Sequence, residues 1–306
     1  MPTSPGSRSL ESDGDHTPVL LAEVVTWLVP RPGGVYVDAT LGLGGHTRGL
    51  LEAGAARVIG FDRDLSTLEA ARAALGDAAA GVETVHTDYR RIAEVLAERG
   101  IAGVDGIVAD LGVSSRQLDD PERGLSFRKA GPLDMRLDQS TGLTLGERLA
   151  QVDEATLADV IYEFGEERHS RRIARAIVRA RDRGELGDTA ALASVVRRAA
   201  GGGGWQRIDP ATRTFQALRI WTNDELTGLD RFVVDAASVL RPGGRLAIIA
   251  FHSLEDRAVK HTFRRLSAED ERFTVLTRRP VVPEADESAR NPRARSARLR
   301  VLERVA

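Results

Sequence analysis

Short apolar runs that alternate with helical segments constrain the fold of this 306-residue chain more than any other feature. Four such runs have the length of strands, at residues 35–39, 57–62, 82–88 and 106–110. Helical spacing separates them, and strands that alternate with helices in this way build a parallel sheet with helices on both faces. The sequence therefore predicts an α/β fold with a doubly wound, mostly parallel sheet.

The alternation stops between residues 117 and 214, where helical periodicities replace the strand-like runs. It resumes with one long amphipathic helix predicted over residues 215–240 and a strand over residues 245–251. Two further strands are predicted near the end of the chain, at residues 273–277 and 298–303. An all-helical domain inserted into a sheet domain accounts for this order.

The predicted domain boundaries follow from this pattern. Residues 16–116 and 215–306 are expected to form the sheet domain, and residues 117–214 the inserted helical domain. The first 15 residues are rich in Pro, Ser, Gly and Asp, a composition that favours disorder. We therefore expect a disordered arm over residues 1–15.

A glycine-rich loop follows the first predicted strand, in the segment DATLGLGGH at residues 38–46. Glycine lets the backbone turn sharply and lets a ligand approach the amides at the start of the next helix. The second strand ends at Asp62, where a carboxylate can accept both hydroxyls of an adenosine ribose. A glycine loop with an acid at this spacing fits both a nicotinamide dinucleotide and S-adenosylmethionine.

Two details separate these ligands. The dinucleotide fingerprint requires a third glycine where this sequence has Thr47, and the Gly-Lys-Ser/Thr pattern of phosphate-binding loops is also missing. Asp38 stands just before the loop, where a carboxylate suits the ammonium of methionine and opposes a pyrophosphate. These details favour a methyltransferase over a dehydrogenase. Asp38 as a loop-stapling or helix-capping residue, and His46 as an ordinary first-turn residue, stay open.

The loop after the fourth strand, DLGVSS at residues 110–115, lies at the edge of the sheet where substrates meet cofactors. The carboxylate of Asp110 can accept a hydrogen bond from an exocyclic amine and stabilise the charge that develops during methyl transfer. Ser114 is the second candidate for that contact. Amino-group methyltransferases commonly carry Pro-Pro-aromatic after this acid, and this sequence does not. Asp110 as a capping acid at the strand end stays open.

Several ordered motifs together resemble a known family. They are HTPVLLAEVV at residues 16–25, DATLGLGGH at 38–46, DLGVSSRQL at 110–118, GEERHSRRIAR at 165–175, RTFQALRI at 213–220, FHSLEDR at 251–257 and NPRARSARLR at 291–300. In this order they are similar to the bacterial ribosomal RNA small subunit methyltransferase H family, also called MraW. The resemblance covers nearly the whole chain from His16 onward, so it is far more specific than the glycine loop alone.

The resemblance implies a Rossmann-like class I methyltransferase fold. It also implies methyl transfer from S-adenosylmethionine to the N4 nitrogen of a cytidine in the decoding region of 16S ribosomal RNA. The expected partner is that RNA, within the small ribosomal subunit.

The resemblance also implies site residues. The cofactor contacts that it carries over, position by position, are Gly44, Gly45, His46, Asp62, Tyr89, Asp110 and Gln117. We add Asp38 from its place before the loop, and Asp110 and Ser114 are the catalytic candidates. In related enzymes an aromatic ring stacks on the flipped base. The candidates for that role are Phe127, Phe215 and Trp221.

Composition limits the function without identifying it. The absence of cysteine excludes disulfides, thiolate metal sites and cysteine nucleophiles. No group of His, Asp and Glu residues has convincing ligand spacing, so we expect no metal. The sequence has neither a bilayer-length apolar stretch nor a signal-peptide pattern, so we expect a cytoplasmic protein without a membrane partner. The oligomeric state stays open, a homodimer included.

The net charge of −2 does not by itself indicate a nucleic-acid partner. Arginines at helical spacing in the inserted domain are the candidates to bind RNA: Arg168, Arg171, Arg172, Arg175 and Arg179. Two other functions stay open, a dinucleotide-dependent oxidoreductase and a non-catalytic RNA-binding factor on the same scaffold. The intact acids Asp38, Asp62 and Asp110 disfavour the second of these.

Overall fold

A computed structural model describes residues 18–201 and 208–306, so the predicted arm at residues 1–15 lies outside the described residues. Within the described ranges, seven strands form one sheet. They are β1 (Val35–Asp38), β2 (Arg57–Asp62), β3 (Val82–His86), β4 (Val104–Asp110), β5 (Leu240–Ala250), β6 (Phe273–Val275) and β7 (Arg298–Arg304). The order across the sheet is β3-β2-β1-β4-β5-β7-β6. The first five strands are parallel, and β7 is antiparallel to both β5 and β6.

Helices connect these strands. They are α1 (Leu21–Leu28), α2 (Gly45–Glu52), α3 (Leu65–Leu75), α4 (Ile92–Glu98), α5 (Ser115–Asp119), α6 (Leu145–Gln151), α7 (Glu154–Gly165), α8 (Ser170–Asp182), α9 (Thr189–Ala200), α10 (Ala211–Asn223), α11 (Leu229–Ser238), α12 (Ser253–Glu269) and α13 (Ala285–Arg290). The predicted α/β fold with a doubly wound, mostly parallel sheet is confirmed. No helix in the described ranges is both long and apolar enough to cross a bilayer.

Both faces of the sheet are buried, as expected for parallel strands covered by helices. On one face, Val37 of β1 and Ile107 of β4 belong to a cluster with Phe232 of α11 and Phe263 of α12. On the other face, Tyr36, Val58 and Val108 pack with Val24 of α1. Strand order reverses between β1 and β4, so the loops after these two strands diverge and leave a crevice at their carboxyl ends.

The helices between β4 and β5 have a hydrophobic cluster of their own. Its fully buried members include Leu157 and Ile161 of α7, Ile173 of α8 and Leu192 of α9. Phe215 of α10 packs in the same cluster, and α10 runs across the boundary predicted between residues 214 and 215. The division into domains stays a prediction.

The single helix predicted over residues 215–240 is wrong, because the chain forms α10 and α11 with a break between them. The break begins at Asp224, which takes a left-handed conformation (φ 52°), and ends at Gly228 (φ 72°). The side chain of Asn223 holds the end of α10, accepting from the Leu137 amide at 2.7 Å and donating to the Met135 carbonyl at 2.8 Å. Each helix is amphipathic alone, so the apolar spacing continues through the break and conceals it.

Candidate active site

A cavity of about 690 Å³ opens at the carboxyl ends of β1, β2 and β4. This volume lies within the usual range of roughly 300–1,000 Å³ for small-molecule sites. Most of the predicted site residues line it: Gly45, His46, Asp62, Tyr89, Asp110, Ser114 and Gln117. Strands that are far apart in sequence therefore bring these residues together, as the predicted sheet requires.

The loop after β1 turns sharply into α2. Gly44 caps that helix with φ 78°, a conformation that favours glycine. A Cβ at Gly45 would lie 2.2 Å from Cγ of Pro18, so this position admits no side chain while Pro18 covers it. Of these two predicted contacts, Gly45 lines the cavity and Gly44 does not. The first amides of α2 are the unpaired donors with which a helix start can meet a ligand.

Asp62 ends β2 and supports the same loop. Its Oδ2 accepts from the Gly42 amide at 3.0 Å and its Oδ1 from the Asp64 amide at 2.9 Å. An ionised carboxylate offers about four acceptor positions, so lone pairs remain for ligand hydroxyls. Burial raises the pKa of Asp62 to about 6, and these two backbone hydrogen bonds only partly oppose that rise.

Asp38 does not line the cavity but lies beneath it, only 1% exposed. Its carboxylate accepts from the Thr47 hydroxyl at 2.8 Å and from the Thr40 amide at 3.2 Å. Burial raises the pKa of Asp38, although the nearby His46 and these hydrogen bonds oppose the rise. The geometry supports the loop-stapling alternative for Asp38 over direct contact with a methionine ammonium.

Asp110 and His46 are neighbours on the wall of the cavity. Oδ1 of Asp110 accepts from the Gly112 amide at 3.1 Å, and its Oδ2 lies 3.4 Å from Nε2 of His46. His46 is 5% exposed, and neither ring nitrogen has an aligned hydrogen-bond partner among the described residues. Burial lowers the pKa of His46, but Asp110 and Asp38 outweigh it and raise that pKa overall. The buried nitrogens of His46 on the cavity wall can therefore hydrogen-bond to a ligand.

Ser114 and Gln117 form a reciprocal pair at the start of α5. The Gln117 amide donates to the Ser114 hydroxyl, and the Ser114 amide donates to Oε1 of Gln117, both at 3.3 Å. The side-chain amide of Gln117 also donates to Asp64 at 3.3 Å. These contacts fix the loop after β4 against the loop after β2, with both side chains on the cavity wall.

Tyr89 closes the far side of the cavity. Its ring packs edge-on against Phe232, with 4.5 Å between ring centroids, and the Arg90 guanidinium lies 5.6 Å from its centroid. Burial raises the pKa of Tyr89 to about 12, so its hydroxyl stays neutral at physiological pH. A partly buried, neutral aromatic ring at the cavity wall suits contact with a flat heterocycle.

A second cavity, of about 1130 Å³, adjoins the first. The two share their lining at Pro18, Leu21, Val113, Phe251, Asn291 and Arg293. The candidate aromatics Phe127 and Phe215 line the second cavity and pack edge-on at 4.8 Å. Trp221 does not line it, and the Arg148 guanidinium lies 5.3 Å from its ring.

Phe251 is a site residue that the sequence reasoning missed. It follows β5 and lies between the two cavities. A Cβ at Gly112 would meet its ring at 2.7 Å, so the glycine after Asp110 makes room for an aromatic from the neighbouring strand. The missing Pro-Pro-aromatic sequence is therefore compatible with an aromatic ring beside Asp110. The feature that could have identified Phe251 as a site residue is its position at the end of β5, the strand next to β4.

Three further residues with metal-binding side chains come together below the second cavity. Candidate ligand atoms of Glu225, His252 and Glu255 all lie within 4.8 Å of one another. Sequence spacing did not predict this group, because the break after α10 brings Glu225 back toward the end of β5. Arg219 holds both carboxylate oxygens of Glu225, at 2.9 Å and 3.2 Å from Nε, so an ion pair already compensates that charge.

A glycine loop, an acid at the end of β2 and a carboxylate after β4, all at the switch point of a doubly wound sheet, define a Rossmann-like S-adenosylmethionine-dependent methyltransferase. The family model described as "MraW methylase family" matches residues 13–305. The chain belongs to this family, which confirms the resemblance seen in the sequence motifs and the predicted methyl donor.

Curated relatives are similar along their whole length. The chain is 52% identical over 290 residues to Ribosomal RNA small subunit methyltransferase H of Sorangium cellulosum, covering 95% of this chain and 91% of that protein. It is 49% identical over 305 residues to the protein of the same name from Deinococcus radiodurans, covering 100% and 95%. Among solved structures, a rRNA methylase from Streptococcus thermophilus matches 94% of this chain and 93% of that chain, with 13% identity and a TM-score of 0.40.

Proposed function

We propose that this enzyme methylates the N4 nitrogen of a cytidine in the decoding region of 16S ribosomal RNA, within the small ribosomal subunit. The observation that carries the proposal is the pair of adjoining cavities that meet beside Asp110 and Phe251. One cavity has the residues expected for the methyl donor, and the other is large enough for a nucleotide. Membership of the MraW family supports the choice of RNA and base.

The smaller cavity is the proposed site for S-adenosylmethionine, which supplies an electrophilic methyl group. Asp62 would accept the ribose hydroxyls through its free lone pairs. Tyr89 would contact the adenine, and Gly45 and His46 would contact the methionine end at the start of α2. Gln117 would complete the wall from the loop after β4. Asp38 would act from beneath, by holding Thr40 and Thr47 in place.

Asp110 is the proposed catalytic residue. The exocyclic nitrogen of cytosine is a poor nucleophile because its lone pair is delocalised into the ring. A carboxylate that accepts a hydrogen bond from this amine favours the pyramidal nitrogen and stabilises the positive charge that develops on it. Methyl transfer would form the N–C bond while the bond between that methyl group and sulfur breaks and S-adenosylhomocysteine leaves, and Asp110 is placed to accept the proton that the nitrogen loses. Ser114 is the alternative partner for the amine.

Helix α8 is the proposed RNA-binding surface. The candidate arginines in this helix and just before it are exposed: Arg168, Arg171, Arg172, Arg175 and Arg179. Two of them already have partners, because Arg175 lies 3.1 Å from Glu154 and Arg172 donates to the Ala200 carbonyl. Phosphate contacts supply most of the affinity of such surfaces and make it depend on salt. A cytoplasmic location suits this substrate, and homodimerisation stays a prediction.

The experiment is methyl transfer to small ribosomal subunits isolated from cells that lack the gene. We expect labelled methyl from S-adenosylmethionine to appear in one cytidine, identified as N4-methylcytidine by nucleoside mass analysis. Free 16S RNA in a parallel reaction separates RNA from the assembled subunit as substrate. A protein that binds S-adenosylmethionine and the subunit but never transfers methyl would favour the non-catalytic alternative.

Asp110→Asn tests the chemistry in the same assay. Asparagine can accept a hydrogen bond but supplies no negative charge, so turnover should fall by about a hundredfold or more. Affinity for S-adenosylmethionine should change only a few-fold. A near-normal single-turnover rate at saturating S-adenosylmethionine would limit Asp110 to binding, and Ser114→Ala would then be the next variant.

A further inference from the structure

One face of α10 forms a wall of the second cavity. Thr212, Phe215, Gln216 and Arg219 recur at helical spacing and all line it. The Phe215 ring is held by Phe127, and Gln216 donates its side-chain amide to the Phe164 carbonyl at 3.1 Å. Arg219 is therefore the charged member of a wall in which Phe215 and Gln216 are held by neighbours.

Arg219 has hydrogen-bond donors to spare. Its Nε and Nη2 form a two-pronged ion pair with Glu225, at 2.9 Å to Oε1 and 2.9 Å to Oε2. This pair uses one edge of the guanidinium, which has five N–H donors in total. Within the described part of the chain, Nη1 makes no hydrogen bond, and the side chain remains 17% exposed. The free edge of a rigidly held guanidinium thus belongs to a residue that lines the cavity.

A short series of contacts connects Arg219 to the catalytic loop. Glu225 lies within 4.8 Å of Glu255, and Oε2 of Glu255 accepts from the Phe251 amide at 2.8 Å. The Phe251 ring occupies the space that a side chain on Gly112 would need, and the Gly112 amide donates to Asp110. The acceptor Asp110 lines the first cavity, the donor Arg219 lines the second, and Phe251 lines both.

An acceptor at Asp110 and a pair of guanidinium donors at Arg219 are complementary in type to the Watson–Crick edge of cytosine. That edge presents the N4 amine as a donor, followed by N3 and O2 as neighbouring acceptors. Uracil presents O4 as an acceptor and N3–H as a donor instead. A guanidinium edge donates two parallel hydrogen bonds to a pair of acceptors, and it cannot pair with N3–H.

We propose that Arg219 is the specificity-determining residue that reads the target base, by donating to N3 and O2 of cytosine while Asp110 accepts from N4. The inference rests on the proposed methylation of a cytosine amine. Glu225 has a positioning role, because it holds Nε and Nη2 of the guanidinium and leaves Nη1 unpaired in a side chain that lines the cavity. A good two-pronged contact to a base discriminates by roughly tenfold to a hundredfold.

The test is binding of cytidine and uridine 5′-monophosphates to the protein saturated with S-adenosylhomocysteine, measured by NMR titration. For the unaltered protein we expect cytidine monophosphate to bind at least about tenfold more tightly. Arg219→Lys keeps a positive charge beside Glu225 but loses the paired N–H donors of the guanidinium. Its preference for cytidine over uridine monophosphate should therefore fall to within about threefold. Arg128→Lys is the matched control, because Arg128 also lines this cavity and its loss should leave the ratio unchanged.

Thermal unfolding and S-adenosylhomocysteine affinity establish that Arg219→Lys is folded. If Arg219→Lys is not folded, the double variant Arg219→Gln, Glu225→Gln, which removes both charges, takes its place in the titration. A folded variant with the unaltered preference would overturn the inference, as would an unaltered protein that binds both nucleotides equally. Neither result affects the proposed function, which fails separately if small subunits acquire no N4-methylcytidine.

Discussion

Replacing Asp62 by alanine tests the cofactor site most directly. The carboxylate already accepts the Gly42 and Asp64 amides, so it fixes the glycine loop and also offers free lone pairs to a ribose. Losing a hydrogen bond between a charged group and a ligand hydroxyl costs about 1.5–3 kcal/mol. Since about 1.4 kcal/mol corresponds to tenfold in affinity, Asp62→Ala should bind S-adenosylmethionine roughly tenfold to a hundredfold more weakly.

Isothermal titration calorimetry measures this change, with the thermal unfolding of each variant recorded alongside. Asp77→Ala is the matched control, because Asp77 is an exposed acid that does not line the cavity. The affinity of Asp77→Ala for S-adenosylmethionine should equal that of the unaltered protein. If Asp62→Ala is folded and binds S-adenosylmethionine with undiminished affinity, the ribose contact assigned to Asp62 is wrong.

Two other predictions concern pH and salt. Burial raises the pKa of Asp62 to about 6, and ribose hydroxyls favour its charged form, so S-adenosylmethionine affinity should weaken as pH falls through 6. Calorimetry in buffers of different ionisation enthalpy should detect proton release near that pH, and a persistent pH dependence in Asp62→Asn would refute the assignment. Charge reversal of Arg171 and Arg175 should weaken RNA binding and flatten its log-log salt dependence without changing cofactor affinity. Reversal of Arg231 and Arg264, exposed on α11 and α12, is the control, and an equal salt slope in both double variants would remove α8 from the RNA surface.

The cofactor side of the site could be predicted because its features are local in sequence. A glycine loop after one strand and acids at the ends of others obey short-range rules, and the parallel sheet brings those strand ends to one edge. Asp110 follows from this rule, whereas His46 became a site candidate only through the family resemblance; the two side chains lie 3.4 Å apart. Asp38 shows the limit of the same reasoning. The sequence placed it correctly at the end of β1, but only the contact with Thr47 indicates that its side chain points away from the cavity.

The substrate side could not be predicted in the same way, because it depends on contacts between distant segments and on a break in a helix. Apolar spacing continues through α10 and α11, so the left-handed turn at Asp224 leaves no signal in the pattern. Without that turn, Glu225 would continue along the helix axis instead of folding back onto the side chain of Arg219, six residues earlier. Phe251 likewise has a role only because β5 lies next to β4 and Gly112 leaves room for its ring. The base recognition proposed for Arg219 therefore depends on the turn at Asp224 and on the absence of a side chain at Gly112. The role of each of these features becomes visible only in the tertiary structure.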